Sequence, residues 1–483
     1  MNVRHVCKWC VVSTLLALVS SFGLNKALFA QPALPAPPAP ASAADAEQDV
    51  QVLTRGPVHE AFAETVTFDP EPGVVVPKEP PAAIEEVPPE QRLEGANVAW
   101  IPGYWGWDDE RKDFLWVSGI WRDLPPGREW VPGYWAKTDR GFQWTSGYWA
   151  DEDVSETEYL PEPPDTVEVG PNVAAPSADD SWVPGCWVWH QGRYAWRPGY
   201  WAAMRPNWDW VPAHYVWASR GYVFVDGYWD YSVERRGVLF APVEFAADAY
   251  ARPGFSYSPT TVIDLSVFTD HLFLRPHYSH YYFGDYYAPS YRDAGYYASF
   301  SAHSDRVSYD PIYAQQRWEH RQDPEWEHHV AADFQNRRDH EDARPPRTLA
   351  AQIALASKAG QPHEQTRTLA TSLAQLAQNV RSPTRFQPVA KDERQQLAQR
   401  GPQLQKFREE RQQADTRAAG TAAAKPAKES EPARVKRTKS PIEAKAASAL
   451  GKDRAPPQPH EVPAPDPKVE PKPKKARDKG EKP

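Results

Sequence analysis

Between residues 100 and 229 short aromatic runs alternate with short polar breaks, and the alternation keeps a fixed step. Copies of one six-residue unit read WIPGYW at 100, WVSGIW at 116, WVPGYW at 130 and WTSGYW at 144. After a gap come WVPGCW at 182, WRPGYW at 196, the degenerate WVPAHY at 210 and FVDGYW at 224. Starts fall fourteen residues apart within each block, except for a first interval of sixteen, where DDERKD lengthens a turn. Such a period holds one short strand and one turn, and is too short for a solenoid of helix pairs. Trp, Tyr, Phe and Val fill the apolar positions, and the breaks TDRG, HQGR and SRG carry turn residues. In Gly141-Phe142, Gly192-Arg193-Tyr194 and Gly221-Tyr222 a glycine precedes the next aromatic pair, where a hairpin calls for positive φ. The pattern predicts four antiparallel hairpins of 28 residues, arranged as two four-stranded sheets or, alternatively, one eight-stranded meander or barrel.

Proline inside the unit conflicts with a strand, because it cannot donate to the ladder. A β-bulge at Gly103, Gly133, Gly147 and Gly199 resolves the conflict, since the extra residue stays unpaired. It also turns two tryptophans five residues apart onto one face, where regular pleating would separate them. The predicted core is therefore a stripe of Trp100, Trp105, Trp116, Trp121, Trp130, Trp135, Trp144 and Trp149 in the first block. Trp182, Trp187, Trp196, Trp201, Trp210 and Trp229 continue it in the second. A buried tryptophan removes ~150–250 Å² from water, roughly 4–6 kcal/mol gross at ~25 cal/mol per Å², an upper bound. Hairpins poor in valine and leucine can cohere on that alone.

Outside the repeats the periodicity changes. Residues 1–30 read as an export leader, with basic Arg4 and Lys8, an apolar stretch Val11–Leu24 and ALFA ending at Ala30. An uncleaved anchor is the alternative; the stretch is short of the ~18–20 apolar residues of a membrane span. Residues 31–95 are acidic and proline-broken and predict extended chain, and 151–180 an acidic solvated linker. The tyrosine-dense stretch 246–313 predicts a segment packed on the repeats. Residues 314–420 predict charged helices that pack on one another or on a partner, with a stripe of Leu369, Leu373, Leu376 and Val380. The Lys/Pro/Ala-rich tail 421–483 predicts disorder. The fold class is thus mainly β in its ordered core, repeats in 96–150 and 181–245, with helical C-terminal segments and long disordered regions.

Composition sharpens this division. Of 21 tryptophans, 18 lie between Trp100 and Trp229, while 51 prolines describe chain that cannot bury enough apolar surface to order itself. Cys7 and Cys10 sit in the leader, so only Cys186 survives its removal and no internal disulfide is available. Cys186 stands where other copies carry tyrosine, which suits a small buried hydrophobe. The formal net charge is −9, but the tail is basic and residues 45–180 acidic.

The eight copies resemble the WXXGXW (YXWGXW) repeat family of exported bacterial proteins. The resemblance covers residues 100–229, with departures at Ala213, His214 and Tyr215 in the seventh copy and Phe224 in the eighth. It implies an exported protein with a small β-repeat and brings no catalytic residue with it.

The chain carries no P-loop, no G-x-S-x-G elbow, no H-E-x-x-H and no zinc-finger spacing. His271, His277 and His280 lack neighbouring cysteines, and the acidic linker lacks an EF-hand pattern. No catalytic residue, cofactor or metal is therefore expected. Aromatics off the stripe remain: Trp107, Trp189, Trp208 and Trp217 are the candidate binding surface, with Tyr104, Tyr134, Tyr148 and Tyr200 beside them. The expected function is an exported, non-enzymatic scaffold or binding protein of the periplasm or cell surface. A glycan-binding module with aromatic platforms is the first alternative, and an envelope hydrolase the second. An envelope protein or polysaccharide is the expected partner; the basic tail suits an anionic polymer, and no specific nucleic-acid binding is expected.

Overall fold

The computed structural model describes residues 49–246, 249–302, 308–358, 368–379, 385–416 and 432–442, together with Pro456 and Gln458. The leader, residues 31–48 and most of the tail lie outside the described residues.

Each pair of copies folds into one long hairpin, or ribbon, broken halfway along. In the first ribbon Val98–Ile101 pairs with Ile120–Asp123, and Tyr104–Asp108 with Asp113–Val117. The second pairs Arg128–Val131 with Tyr148–Asp151 and Tyr134–Thr138 with Gly141–Thr145. The third pairs Asp180–Val183 with Tyr200–Ala203 and Cys186–His190 with Arg193–Arg197. The fourth pairs Trp208–Val211 with Tyr228–Tyr231 and His214–Ala218 with Gly221–Val225. Each tryptophan of the expected stripe thereby lies opposite another: Trp100 faces Trp121, and Trp105 faces Trp116, each with ring centroids 5.2 Å apart.

The break falls at the Pro-Gly steps, but it is not a one-residue bulge. Ile101 pairs with Ile120 and Tyr104 with Val117, so Pro102-Gly103 and Ser118-Gly119 leave the ladder together and no residue is inserted. The expected same-face stripe fails with the bulge. Trp100 and Trp121 pack with Val98, Phe240, Val262 and Leu373, whereas Trp105 and Trp116 pack with Val243, Phe273, Tyr282 and Tyr286. Trp130 and Trp149 enter a third cluster, around Phe62, Ile101 and Tyr228, while Trp135 and Trp144 join the tyrosine-rich one. One ribbon thus serves two cores. The motif's glycine is needed because an indole of the paired copy lies on it. A Cβ at Gly147 would meet Trp130 at 2.5 Å, and one at Gly227 would meet Trp210 at 2.6 Å.

Consecutive ribbons do not join into four-stranded sheets or a barrel. Strands from outside the repeats extend them instead: Val243–Phe245 on Asp113–Val117, Val75–Val76 on Gly141–Thr145, and Glu156–Leu160 on Gly221–Val225. The third ribbon takes no such strand among the described residues. The segment read as an extended acidic region is therefore part of the core from residue 49 onward. Ala61 and Phe62 are fully buried, and their carbonyls accept from Arg122 Nε at 2.9 Å and Arg236 Nη1 at 3.0 Å. The same arginines reach Asp230 and Asp209 of the fourth ribbon, each at 2.6 Å. A buried, doubly paired network of this kind fixes how the first and fourth ribbons meet.

Two further expectations change. Ala433–Lys436, inside the tail expected to be disordered, pairs antiparallel with Glu156–Leu160, and Arg437 bonds Glu129 at 2.7 Å. An open strand edge and an acidic partner order it. Leu369 and Leu373 are buried, but Ala370–Ser372 is a strand against Thr261–Ile263 and the helix begins only at Leu373; Val380 lies outside the described residues. The tyrosine-rich stretch supplies Leu272–Arg275 and His280–Phe283, whose Phe273 and Tyr282 share a cluster with Trp105 and Trp116. The helix Pro311–Glu319 starts on Asp310, whose carboxylate accepts the N–H of Ile312 and Tyr313.

Candidate binding face on the third ribbon

The doubly broken ladder leaves glycine N–H groups without a partner across the ribbon, and buried donors must find one. A carboxylate from outside the repeat supplies it in the first three ribbons. Glu86 accepts from Gly103 N–H (2.7 Å), Gly119 N–H (2.8 Å) and Trp116 Nε1 (3.0 Å). Glu60 accepts from Gly147 N–H (3.0 Å) and Trp144 Nε1 (2.9 Å). In the third ribbon Glu168 accepts from Gly185 N–H (2.5 Å) and Trp182 Nε1 (3.1 Å). The fourth ribbon has Ala213-His214 in place of Gly-Tyr, and Glu64 meets His214 Nε2 (3.1 Å) and Tyr228 Oη (2.9 Å) there. In the second ribbon arginines of the helix Arg400–Thr416 take the freed carbonyls: Arg411 Nη1 donates to Pro132 O and Arg408 Nε to Gly133 O. Glu168 belongs to the stretch read as a solvated linker, and none of the four carboxylates is apparent from the repeat itself. One signal was present: Glu86 and Glu168 each stand seventeen residues ahead of the glycine they bind.

Burial perturbs the groups around these breaks strongly. Burial pushes Glu60 up to about 8 and Glu86 up to about 7, and it pushes His59 down to about 3 and His280 down to about 4. Tyr104 Oη links Glu60 N–H (3.1 Å) to His280 Nε2 (2.9 Å), and His59 Nε2 meets Pro102 O at 3.2 Å. Tyr104 and Pro102 belong to the first ribbon, and Glu60 also holds Gly147 and Trp144, so these contacts fasten the first and second ribbons to the segment around Glu60. Of the other histidines, His271 is buried against Tyr287, and His277 is exposed beside Glu71. Among the described residues no group of three or more potential ligands converges on a metal position.

The candidate surface divides. Trp107 is 5% exposed, donates to Asp109 and packs edge-on against Phe114; Trp208 is 9% exposed and stacks on Tyr231. Both are core, as are Tyr104, Tyr134 and Tyr148. Trp107 is covered by the tyrosine-rich segment, which the repeat's own spacing does not reveal. Trp189 and Trp217 are half-buried against Leu160, Tyr215 and Tyr222.

The reverse correction applies to part of the expected core. Trp182, Trp187, Trp196 and Trp201 pair like their counterparts, yet all four stay half-exposed, as does Trp135 of the second ribbon. Cys186 shares this partial exposure, with Arg197 Nη2 donating to its Sγ at 3.2 Å. Beside the ribbon a cleft open to solvent runs between residues 171–182, Trp201 and the helices Pro311–Glu319 and Trp326–Asp339. Trp182, Trp201 and Trp318 line it together with a stack of Tyr313, Trp326 and His320, whose rings lie 5.7 and 4.7 Å from Trp326. Arg321 covers the Trp318 ring at 4.2 Å and pairs with Asp179 at 2.9 Å. Sequence reading placed Trp318 and Trp326 on solvated helices and missed this wall, because nothing local announces that two helices will stand against a repeat ribbon.

The family model described as WXXGXW repeat (2 copies) matches residues 95–122, 130–150, 182–202 and 205–231, one matched segment per ribbon. No curated protein and no solved structure matches the chain. Among the described residues no helix is long and apolar enough to cross a membrane.

Proposed function

We propose that this chain, a member of the WXXGXW repeat family, is an exported, non-catalytic β-repeat scaffold of the bacterial cell envelope that holds a partner on the aromatic face of its third ribbon. One observation carries the reading: four ribbons share a motif, and only the third leaves both of its tryptophan pairs half-exposed. Exposed clusters of large rings on a register-locked frame are the usual anchors of a binding surface. The basic, apolar leader at residues 1–30 supports export. The absence of catalytic motifs, and the use of Glu60, Glu86 and His280 as internal fasteners, support a non-enzymatic role.

A saccharide chain is the second reading, favoured by the cleft. Its rings, flanked by Arg317, Arg321 and Asp180, combine flat apolar faces with hydrogen-bonding groups. Pull-down of the secreted protein on isolated envelope tests the proposal. Trp187→Ala with Trp201→Ala should abolish retention at a stability cost of about 2 kcal/mol, below the ~3–5 kcal/mol of one fully buried ring. Retention by this double variant equal to that of the parent would sink it. Retention on purified envelope polysaccharide alone, lost in Trp326→Ala, would select the saccharide reading.

A further inference from the structure

In three ribbons the outer edge of the strand after the hairpin turn is occupied. Val243 lies beside Trp116, Val75–Val76 beside Gln143 and Phe142, and Tyr159–Leu160 beside Val223 and Tyr222, all antiparallel. In the second ribbon Trp144 N–H also donates outward to Val74 O at 2.9 Å. The matching strand of the third ribbon, Arg193–Arg197, pairs only with Cys186–His190 among the described residues, and Trp196 holds the position of Trp144. A strand edge with unpaired N–H and C=O groups is a template for another strand. We infer that this edge takes an acidic, extended peptide segment of a partner protein by strand addition, a proposal that rests on the third ribbon being the docking element.

The chemistry of the occupant follows from the edge. Two of the internal occupants, Glu156–Leu160 and Val243–Phe245, combine glutamate with aromatic or branched apolar residues, and proline follows directly in Val76-Pro77 and Leu160-Pro161. The edge itself is basic at both ends, with Arg193 exposed and Arg197 half-exposed. In the second and fourth ribbons Gly141 and Gly221, both at positive φ, let the carbonyls of Val76 and Leu160 come close. Arg193 stands at that place in the third ribbon, so an incoming strand begins at Tyr194 and leaves the guanidinium free for its carboxylates. A second copy is disfavoured: antiparallel pairing of the strand with itself about Ala195 sets Arg193 against Arg197 of the other copy, and like charges directly opposed destabilise.

The test uses the full chain and a synthetic peptide ETEYLPEP, the sequence of residues 156–163, read by residue-resolved hydrogen exchange. Saturating peptide should slow exchange at the Tyr194 and Trp196 amides. Arg193→Glu with Arg197→Glu should weaken binding about tenfold or more, as reversal of rim charges does. The reversed peptide KTKYLPKP should then bind the variant better than the parent, which a merely misfolded variant could not do. Unchanged exchange at Tyr194 and Trp196 under saturating peptide overturns the inference, and retention on envelope that persists in that case leaves the ribbon-face proposal standing. Protection of the same amides by polysaccharide, or a dimer in sedimentation that the charge reversal strengthens or leaves intact, also overturns it.

Discussion

The first and third ribbons are built from the same motif and end in opposite conditions. In the first, Trp100 and Trp121 are buried under Phe240 and Val262, and Trp105 and Trp116 under the tyrosine-rich segment. In the third, the four equivalent rings stay half-exposed, although cross-strand register, indole-on-glycine packing and a carboxylate in the break are all retained. The motif therefore specifies the ribbon and not its burial. Burial comes from elsewhere: strands at 75–76, 156–160 and 243–245, the segment around Phe62, and the helix Arg400–Thr416. Where such cover is missing, the same residues change from core to surface.

The largest expected effect separates the two conditions directly. Trp149→Ala removes a ring buried in the second ribbon and should cost about 3–5 kcal/mol, as other large-to-small core changes do. Trp187→Ala removes a half-exposed ring whose Nε1 donates to Asp165 O and should cost about 1 kcal/mol. Urea denaturation followed by near-ultraviolet circular dichroism measures both. Equal costs would mean that the third ribbon is as much core as the second.

A smaller effect compares the carboxylates in the two breaks. Glu86→Ala strands three buried donors, Gly103 N–H, Gly119 N–H and Trp116 Nε1, and a buried donor left alone costs about 1–3 kcal/mol. Glu168→Ala strands Gly185 N–H and Trp182 Nε1 in a break that water can enter, so its cost should stay near about 0.5 kcal/mol. A Glu168→Ala cost matching that of Glu86→Ala would show that the third ribbon's break is sealed after all.

What the sequence made legible was local. The hairpin period, the turn glycines and the pairing of Trp100 with Trp121 follow from a fourteen-residue step, and all of them lie within one ribbon. Faces were not legible, because parity across the Pro-Gly step depends on whether one strand or both leave the ladder. Trp107 is buried in a cluster completed by Tyr282 and Tyr286 from far downstream, and edge pairing at Ala433–Lys436 leaves no periodic trace. The candidate face was half legible: Trp189 and Trp217 lie on its margin, while Trp318 and Trp326 arrive on helices that carry no repeat. The seventeen-residue offset of Glu86 and Glu168 was in plain view, but it becomes a signal only once the break is known to need an acceptor.

The smallest expected effect is a slope with pH, and it belongs to the buried side of the comparison. Glu60 and Glu86 are raised by burial to about 8 and about 7. The folded chain therefore holds their protons where the unfolded chain has released them. Their contribution to stability is complete below the ordinary carboxylate value and is lost as pH rises through about 7 to 8. His59 and His280 are depressed by burial to about 3 and about 4. Their contribution is complete above the ordinary imidazole value near 6.5 and is lost as pH falls towards 3 to 4. From pH 4.5 to 6.5 the raised carboxylates, Asp209 and Asp310 among them, oppose the two depressed histidines, so the decline with rising pH should be shallower there than above pH 6.5, where the histidine contribution is complete. Glu86→Gln removes one of the raised carboxylates. The slope between pH 4.5 and 6.5 should then shift upward relative to the parent, and the loss between pH 6.5 and 8.5 should shrink. Urea midpoints at pH 4.5, 6.5 and 8.5 for both proteins decide it. A parent whose midpoint rises from pH 6.5 to 8.5 would show that the break in the first ribbon is wet, and the contrast with the third ribbon would then rest on the tryptophans alone.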